Sequence, residues 1–263
     1  MIDLSKITKK GRAMYLAYDQ GMEHGPEDFN LENYDPKKIL EIAVSGGFTG
    51  IILQKGLAEK YYTNSKFRKK IPLILKLNGK TKLYEGEAFS PQECGVDEAI
   101  KLGASAVGYT IYPGSEFEAN MIKEFGQVVK EAHEKKIPAI AWIYPRGRGI
   151  VNDTTKEIVA YAARVALELG ADIAKIKYSG SLENFRWAVQ CAGKTKVVLS
   201  GGPKVSDEEF LNVVKNVMEA GAIGVAVGRN VWQNKNPLKI SEKIKSIIFD
   251  KKYEKNIYNQ THS

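Results

Sequence analysis

Short apolar segments alternate with helical patterns along the whole chain. Eight segments are dominated by apolar side chains and bounded by polar residues or glycine, which is the pattern of strands buried on both faces of a parallel sheet. These segments lie at 13–18, 48–53, 72–77, 104–109, 139–144, 171–178, 196–200 and 222–227. The segments between and after them indicate helices at 36–45, 56–68 (a helix and a loop), 91–102, 115–136, 154–169, 182–191, 206–220 and 236–248.

Eight strand–helix units in a chain of 263 residues favour an α/β protein with a single (β/α)8 TIM barrel. The alternative is an open, doubly wound sheet, but no GxGxxG motif follows the first strand. We expect one domain over 1–263, with the barrel at about 11–250. The residues at 251–263 form a polar, lysine-rich tail.

Composition limits the class of protein. The formal net charge of +8 suits anionic small molecules, although it leaves open a basic RNA-binding module. No run of about 18 apolar residues predicts a membrane span, and the first residues do not resemble a signal peptide. The two cysteines, Cys94 and Cys191, form no motif, so we expect free thiols in the reducing cytoplasm.

The sixth strand carries two lysines in an apolar setting. At the two-residue period of a strand, Ile173, Lys175 and Lys177 share one face. A lysine among apolar walls and next to another cation loses its proton more easily, and a neutral amine can attack a carbonyl. The alternative is that both lysines end an edge strand and reach solvent.

Other polar side chains follow the ends of neighbouring strands. Asp19 follows the first strand, Lys76 ends the third, and Trp142 and Tyr144 lie in the fifth. Because the carboxyl ends of barrel strands meet at one face, these side chains are expected to converge there. Tyr144 and Asp19 are then the groups that can carry protons.

Glycine-containing loops follow the last two strands. They read SGGPK at 200–204 and AVGRN at 226–230. Barrels commonly bind phosphate at this position through backbone N–H groups, and Arg229 adds a side chain that can grip an anion. A lysine beside a phosphate site predicts Schiff-base chemistry on a phosphorylated ketone or aldehyde. The three histidines show no metal-ligand spacing, so we predict no metal and no cofactor.

The combination of motifs resembles a known family. The motifs are AYDQGMEHGP (17–26), LKLNGK (75–80), GYTIYPG (108–114), WIYPRG (142–147), KIKYSG (175–180), LSGGPK (199–204) and VGRNVWQ (227–233). Together they resemble the archaeal-type class I fructose-1,6-bisphosphate aldolases of the DeoC/FbaB-like family, from about residue 11 to about residue 245.

The resemblance implies cleavage of fructose 1,6-bisphosphate to dihydroxyacetone phosphate and glyceraldehyde 3-phosphate, and the reverse condensation, in glycolysis and gluconeogenesis. It implies that Lys175 forms the imine, Tyr144 carries protons and Asp19 assists at the carbinolamine. The residues that it implies for substrate binding are Trp142, Gly201, Gly202, Gly228 and Arg229, with Lys177, Lys204 and His24 as weaker candidates for the second phosphate or the sugar hydroxyls. It also implies a homodecamer.

Gln20 departs from the family pattern, because many relatives have histidine there. Glutamine still donates a hydrogen bond but cannot carry a proton near neutral pH, so we expect Gln20 to tune rate or substrate choice.

Two related enzymes stay open as alternatives: a Schiff-base synthase of an aromatic-precursor route, and a thiolase-like enzyme acting on a phosphorylated ketone. For the bisphosphate reading, Lys76, Lys177 and Lys204 are cations that could hold the second anionic end.

Overall fold

A closed barrel of eight parallel strands forms the centre of the protein. The computed structural model describes residues 2–83 and 85–251. Each strand pairs with the strands before and after it in the chain, and the first pairs with the last. The strands are β1 Ala13–Tyr18, β2 Gly50–Gln54, β3 Leu73–Lys76, β4 Ala104–Ile111, β5 Ala139–Ile143, β6 Ile173–Ile176, β7 Lys196–Ser200 and β8 Gly224–Val227. The predicted (β/α)8 barrel is therefore confirmed, and the open sheet was the wrong alternative.

Helices connect the strands on the outside of the barrel. The α-helices are α1 Gly21–His24, α2 Pro36–Ser45, α3 Lys55–Leu57, α4 Val96–Leu102, α5 Glu118–Glu134, α6 Lys156–Glu168, α7 Leu182–Cys191, α8 Asp207–Glu219, α9 Arg229–Trp232 and α10 Pro237–Ile248. A π-helical turn, Ala58–Tyr62, continues α3, and 3-10 turns lie at Gly25–Asp28 and Lys66–Lys69. Within the described ranges, no helix has both the length and the apolar character needed to span a membrane.

Alternation along the strands separates two cores. Side chains that point outward pack against the helices in one large apolar core. Those that point inward form a smaller core inside the barrel, which contains Tyr15, Ala17, Ile52, Ile74, Ala106, Ile140, Trp142, Ile173, Val198 and Ala226. Period-two alternation therefore directs Lys175 of β6 to the inside, next to Ile173 on the same face.

The chain before β1 contributes to the amino-terminal end of the barrel interior. Ile7 is fully buried in the inner core together with Ala13 and Ile223. Arg12 is also buried, and its Nη1 donates to the carbonyl oxygen of Ala222 at 3.2 Å.

The helix predicted at 91–102 begins only at Val96, with Gly95 as its N-cap. The backbone N–H groups of Glu93 and Cys94 both donate to the carbonyl oxygen of Leu77. The preceding segment is thus tied to the end of β3 and is not free to coil, so the helix begins five residues later than predicted. The prediction of one domain over 1–263 stays a prediction, and 252–263 of its tail lie outside the described residues.

Candidate active site

A cavity of about 470 Å³ opens at the carboxyl ends of the strands. Side chains and backbone from the ends of β1, β3, β5, β6, β7 and β8 line it. The predicted site residues that line it are Asp19, Gln20, His24, Trp142, Tyr144, Lys175, Lys177, Gly201, Gly202, Gly228 and Arg229. The fold therefore brings together residues that are scattered over more than 200 positions of the chain.

Lys175 lies on the inner face of the barrel with 5% of its surface exposed. It pairs in register with Trp142 of β5, and its Nζ lies 5.0 Å from the centroid of the indole ring. Burial lowers the pKa of Lys175 to about 8, because the charged ammonium loses hydration. A substantial neutral fraction near physiological pH makes this amine suited to attack a carbonyl.

Trp142 occupies space that a glycine on the neighbouring strand leaves free. A Cβ atom at Gly108 would lie 1.6 Å from the indole ring, so only glycine fits beneath the far edge of this ring. The indole Nε1 is buried without a hydrogen-bond partner in the described part of the chain. Gly108 was quoted in a motif but not predicted as a site residue, because the need for glycine arises from a strand 34 residues away in sequence.

Tyr144 carries its hydroxyl into the cavity beside β7. Its oxygen lies 3.0 Å from Oγ of Ser200, the last residue of that strand. Burial raises the pKa of Tyr144 above its ordinary value, since the phenolate would lose hydration, and the phenol therefore stays protonated at neutral pH. Sequence reasoning did not assign Ser200 a role, although its place directly before Gly201 was a signal.

Lys76 is almost fully buried, with 2% of its surface exposed. Its Nζ donates to Oε1 of Glu23 and lies 3.8 Å from Oδ2 of Asp19. Burial alone would lower the pKa of Lys76, but Glu23 and Asp19 together raise it above its ordinary value. Lys76 is therefore a charged lysine already engaged by carboxylates, which weakens its case as a holder of a second phosphate. Glu23 was not among the predicted site residues.

Lys177 is not the cation that lowers the pKa of Lys175, although the sequence placed both lysines on one face of the sixth strand. β6 ends at Ile176, so Lys177 follows the strand, and it forms an ion pair with Asp153. The cation that lowers the pKa of Lys175 is Lys76, not Lys177. Lys204 forms an ion pair of 3.2 Å with Asp207 and does not line the cavity.

Asp28 forms ion pairs with two side chains that line the cavity, His24 and Arg229. Its carboxylate lies 2.8 Å from Nδ1 of His24 and 3.7 Å from Nη1 of Arg229. It thereby fixes two predicted substrate-binding side chains that come from opposite ends of the sequence. Gln20 precedes α1, and its Nε2 is buried with no partner among residues 2–83 and 85–251.

The loops after β7 and β8 approach their neighbours closely. A Cβ atom at Gly228 would lie 2.8 Å from the carbonyl oxygen of Ala17, and one at Gly201 would lie 2.9 Å from Cα of Val227. The side chain of Asn230 donates to the carbonyl oxygens of Gly201 and Pro203, each at 2.8 Å. The two glycine loops are thus joined as one unit with Arg229 at its edge.

Fold and site together define a TIM-barrel protein with a buried lysine amine in a cavity at the carboxyl ends of its strands. The sequence profile of the DeoC/LacD family aldolases matches residues 13–234. The chain belongs to this family of aldolases, which confirms the resemblance inferred from the motifs. In the described part of the chain, no three His, Cys, Asp or Glu side chains cluster closely enough to hold a metal ion.

Individual relatives give the comparison more detail. The fructose-bisphosphate aldolase class 1 of Thermoproteus tenax is 53% identical over 246 residues, which cover 92% of each chain. The protein of the same name from Halobacterium salinarum is 44% identical over 248 residues, or 94% of each chain. A solved structure of a Schiff-base-forming fructose-1,6-bisphosphate aldolase is 51% identical, with a TM-score of 0.90, and covers 94% of this chain and 98% of its own.

Proposed function

We propose that this protein is a class I aldolase that cleaves fructose 1,6-bisphosphate to dihydroxyacetone phosphate and glyceraldehyde 3-phosphate and catalyses the reverse condensation. The observation that carries the proposal is a buried, readily deprotonated Lys175 that shares a cavity with a protonated Tyr144. The relatives from Thermoproteus tenax and Halobacterium salinarum support it by their activity, and the Schiff-base-forming relative supports the mechanism.

Covalent bonding begins at the ketone of the sugar. The neutral amine of Lys175 attacks C2, and the carbonyl oxygen takes a proton to give a carbinolamine. Loss of that oxygen as water leaves a protonated imine. Asp19 is the proton carrier that we assign to the formation of the carbinolamine, because its carboxylate lines the cavity, lies 3.8 Å from Nζ of Lys76 and acts electrostatically on Lys175.

Carbon–carbon cleavage follows on the imine. The 4-hydroxyl loses its proton, the C3–C4 bond breaks, and its electron pair moves to the imine nitrogen, which gives an enamine and releases glyceraldehyde 3-phosphate. The enamine carbon then takes a proton, and water releases dihydroxyacetone phosphate. We assign the proton transfers at O4 and C3 to Tyr144, with Ser200 holding its hydroxyl. The phenol becomes the required base when it gives its proton to the carbinolamine oxygen that leaves as water, and the phenolate then takes the proton of the 4-hydroxyl. One acid–base group is sufficient, since the proton taken at O4 balances the one delivered to C3.

The two phosphates are placed by the cavity lining. The joined loops with Gly201, Gly202, Gly228 and Arg229 are proposed to hold one phosphate through backbone N–H groups and the guanidinium. His24 and Lys177 line the same cavity and are the candidates for the second phosphate or the hydroxyls. Trp142 and Gln20 both line the cavity, and each has a buried N–H group without a hydrogen-bond partner in the described chain. We therefore assign both as donors to substrate oxygens.

Trapping of the imine tests the proposal. The protein is incubated with dihydroxyacetone phosphate, reduced with borohydride and mapped by mass spectrometry. The expected result is an adduct on Lys175 in the unaltered protein and in Lys177→Met, and none in Lys175→Met. An adduct on Lys177 would keep the aldolase and overturn the assigned nucleophile. Absence of any adduct on folded protein would remove the imine mechanism.

Cellular context and assembly are part of the same proposal. We place the enzyme in glycolysis and gluconeogenesis in the cytoplasm, supported by the free thiols of Cys94 and Cys191. The homodecamer stays a prediction from the resemblance, and light scattering of the purified protein tests it. No comparison favours the synthase, the thiolase-like enzyme or the RNA-binding module.

A further inference from the structure

The ion pair of Lys76 and Glu23 has no role in the reaction as derived above. Both groups line the cavity, and the side chain of Glu23 is only 15% exposed. Lys76 lies on the inner face of β3, two residues after Ile74 of the inner core. A buried charge is costly unless it is compensated, so a fully buried lysine held by two carboxylates calls for a functional explanation.

Register and packing connect Lys76 to Lys175 across three strands. Lys76 pairs with Gly108 of β4, and the indole of Trp142 from β5 fills the space over Gly108. Nζ of Lys175 from β6 lies 5.0 Å from that indole ring. The two lysines therefore lie on either side of one aromatic side chain, at the same end of the barrel.

Three charged groups act directly on Lys175, besides burial. Asp19 and Glu23 favour its protonated form, whereas Lys76 opposes it. The remaining ionisable side chains that line the cavity are His24, Arg146, Lys177, Glu209 and Arg229. Without Lys76, two carboxylates would face a single lysine and would hold it as an ammonium ion, which cannot attack a carbonyl.

We propose that Lys76 and Glu23 are positioning residues that set the charge balance opposite Lys175, with Lys76 favouring the neutral amine and Glu23 limiting that effect. Neither residue touches the reacting atoms. Glu23 keeps Lys76 charged and in place through its hydrogen bond, and Asp19 lies 3.8 Å from the same ammonium group without a hydrogen bond to it. This inference rests on the proposed function, because only an imine-forming reaction gives the neutral amine its value.

A charge cycle tests the proposal through the pH dependence of Lys175. Trapping with dihydroxyacetone phosphate and cyanoborohydride is measured from pH 6 to 10 in the unaltered protein, K76M, E23Q and the double variant. We expect the midpoint of the trapping rate against pH to move up by roughly one pH unit in K76M and to move down in E23Q, since the two charges act on Lys175 in opposite directions. In the double variant the two shifts offset each other, so its midpoint returns towards that of the unaltered protein.

A substrate-free measurement separates this inference from the proposed function. Labelling of Lys175 by a small amine-reactive reagent, mapped by mass spectrometry, reports the same midpoint without catalysis. K196M is the matched control, because Lys196 is a half-buried lysine at the start of β7 and is predicted to leave the midpoint unchanged. Circular dichroism establishes whether each variant is folded. If K76M does not fold, E23Q and the double variant complete the test.

Equal midpoints in folded K76M, E23Q and unaltered protein would overturn the proposal and leave the pair a purely structural contact. Shifts in labelling without any trapped adduct would support the charge balance and remove the proposed aldolase. Shifts of the same sign in K76M and E23Q would also overturn it, because a general disturbance of the site does not distinguish the two charges.

Discussion

The two ends of the barrel interior use buried space in opposite ways. At the amino-terminal end, Ile7, Ala13 and Ile223 fill the interior with apolar side chains. At the carboxyl end, Lys175 and Lys76 are equally buried but charged or titratable, and they surround an open cavity. The first end follows the rule for a stable core, and the second departs from it where chemistry requires a desolvated amine.

This difference shows where the fold gives up stability for reactivity. Lys175 and Tyr144 are both buried at the carboxyl end, and burial lowers the pKa of Lys175 and raises the pKa of Tyr144. The amino-terminal end holds no group assigned to the reaction. Changes at the two ends should therefore have opposite consequences for stability and activity.

The largest effect is expected for Lys175→Met. Removal of the nucleophile should abolish imine trapping and lower turnover by at least about 10⁴-fold. The same change should stabilise the protein at pH 7 by roughly 2–3 kcal/mol, because the buried amine has its pKa lowered to about 8 and its charged form is penalised. Denaturant unfolding and a coupled cleavage assay measure both. A less stable variant would show that the cost of burial does not lie at this lysine.

Tyr144→Phe should separate imine formation from carbon–carbon chemistry. Loss of the proton carrier is expected to reduce cleavage by about 10²–10⁴-fold, while trapping on Lys175 persists at a lower rate because water can also supply the proton for imine formation. Ser200→Ala is the matched milder change, since it removes only the hydrogen bond to the tyrosine hydroxyl. Full cleavage activity in folded Tyr144→Phe would transfer the proton role to another residue.

Ile7→Ala probes the other end. Truncation of this fully buried side chain should lower the free energy of unfolding by about 2–5 kcal/mol, through lost burial and a residual cavity. Values of kcat and KM should stay unchanged below the unfolding transition, because the residue lies far from the cavity lining. A loss of kcat in the folded variant would contradict the separation of the two ends.

The pH dependence of stability should carry a smaller signature of Lys175. Its pKa is lowered on folding, so between about pH 8 and the ordinary lysine range the unfolded chain binds more protons than the folded one. Stability from this group should therefore rise with pH through that window. Urea unfolding of the unaltered protein and of Lys175→Met across pH 7–10 isolates the slope, which should be absent from the variant.

Much of the architecture and part of the site could be predicted from local pattern. Strand alternation placed Lys175 and Ile173 on one face, and the positions of Asp19 and Tyr144 at strand ends placed them at one cavity. Local pattern was weaker at element boundaries. It extended β6 to 178 and started the helix after β3 too early, because contacts with Leu77 from outside the segment decided where that helix begins.

The sequence by itself determined the barrel, the inward lysine and the glycine loops, because each depends on periodicity or on residues adjacent in the chain. Only the tertiary structure decided the partners: Glu23 for Lys76 across 53 residues, Ser200 for Tyr144 across 56, and the glycine opposite Trp142. The same contacts decided that Lys177 is held by Asp153 and that Lys76 is the cation acting on Lys175. The physical reason is that charge pairing and close packing depend on distance in space, which the closed barrel sets and chain order does not.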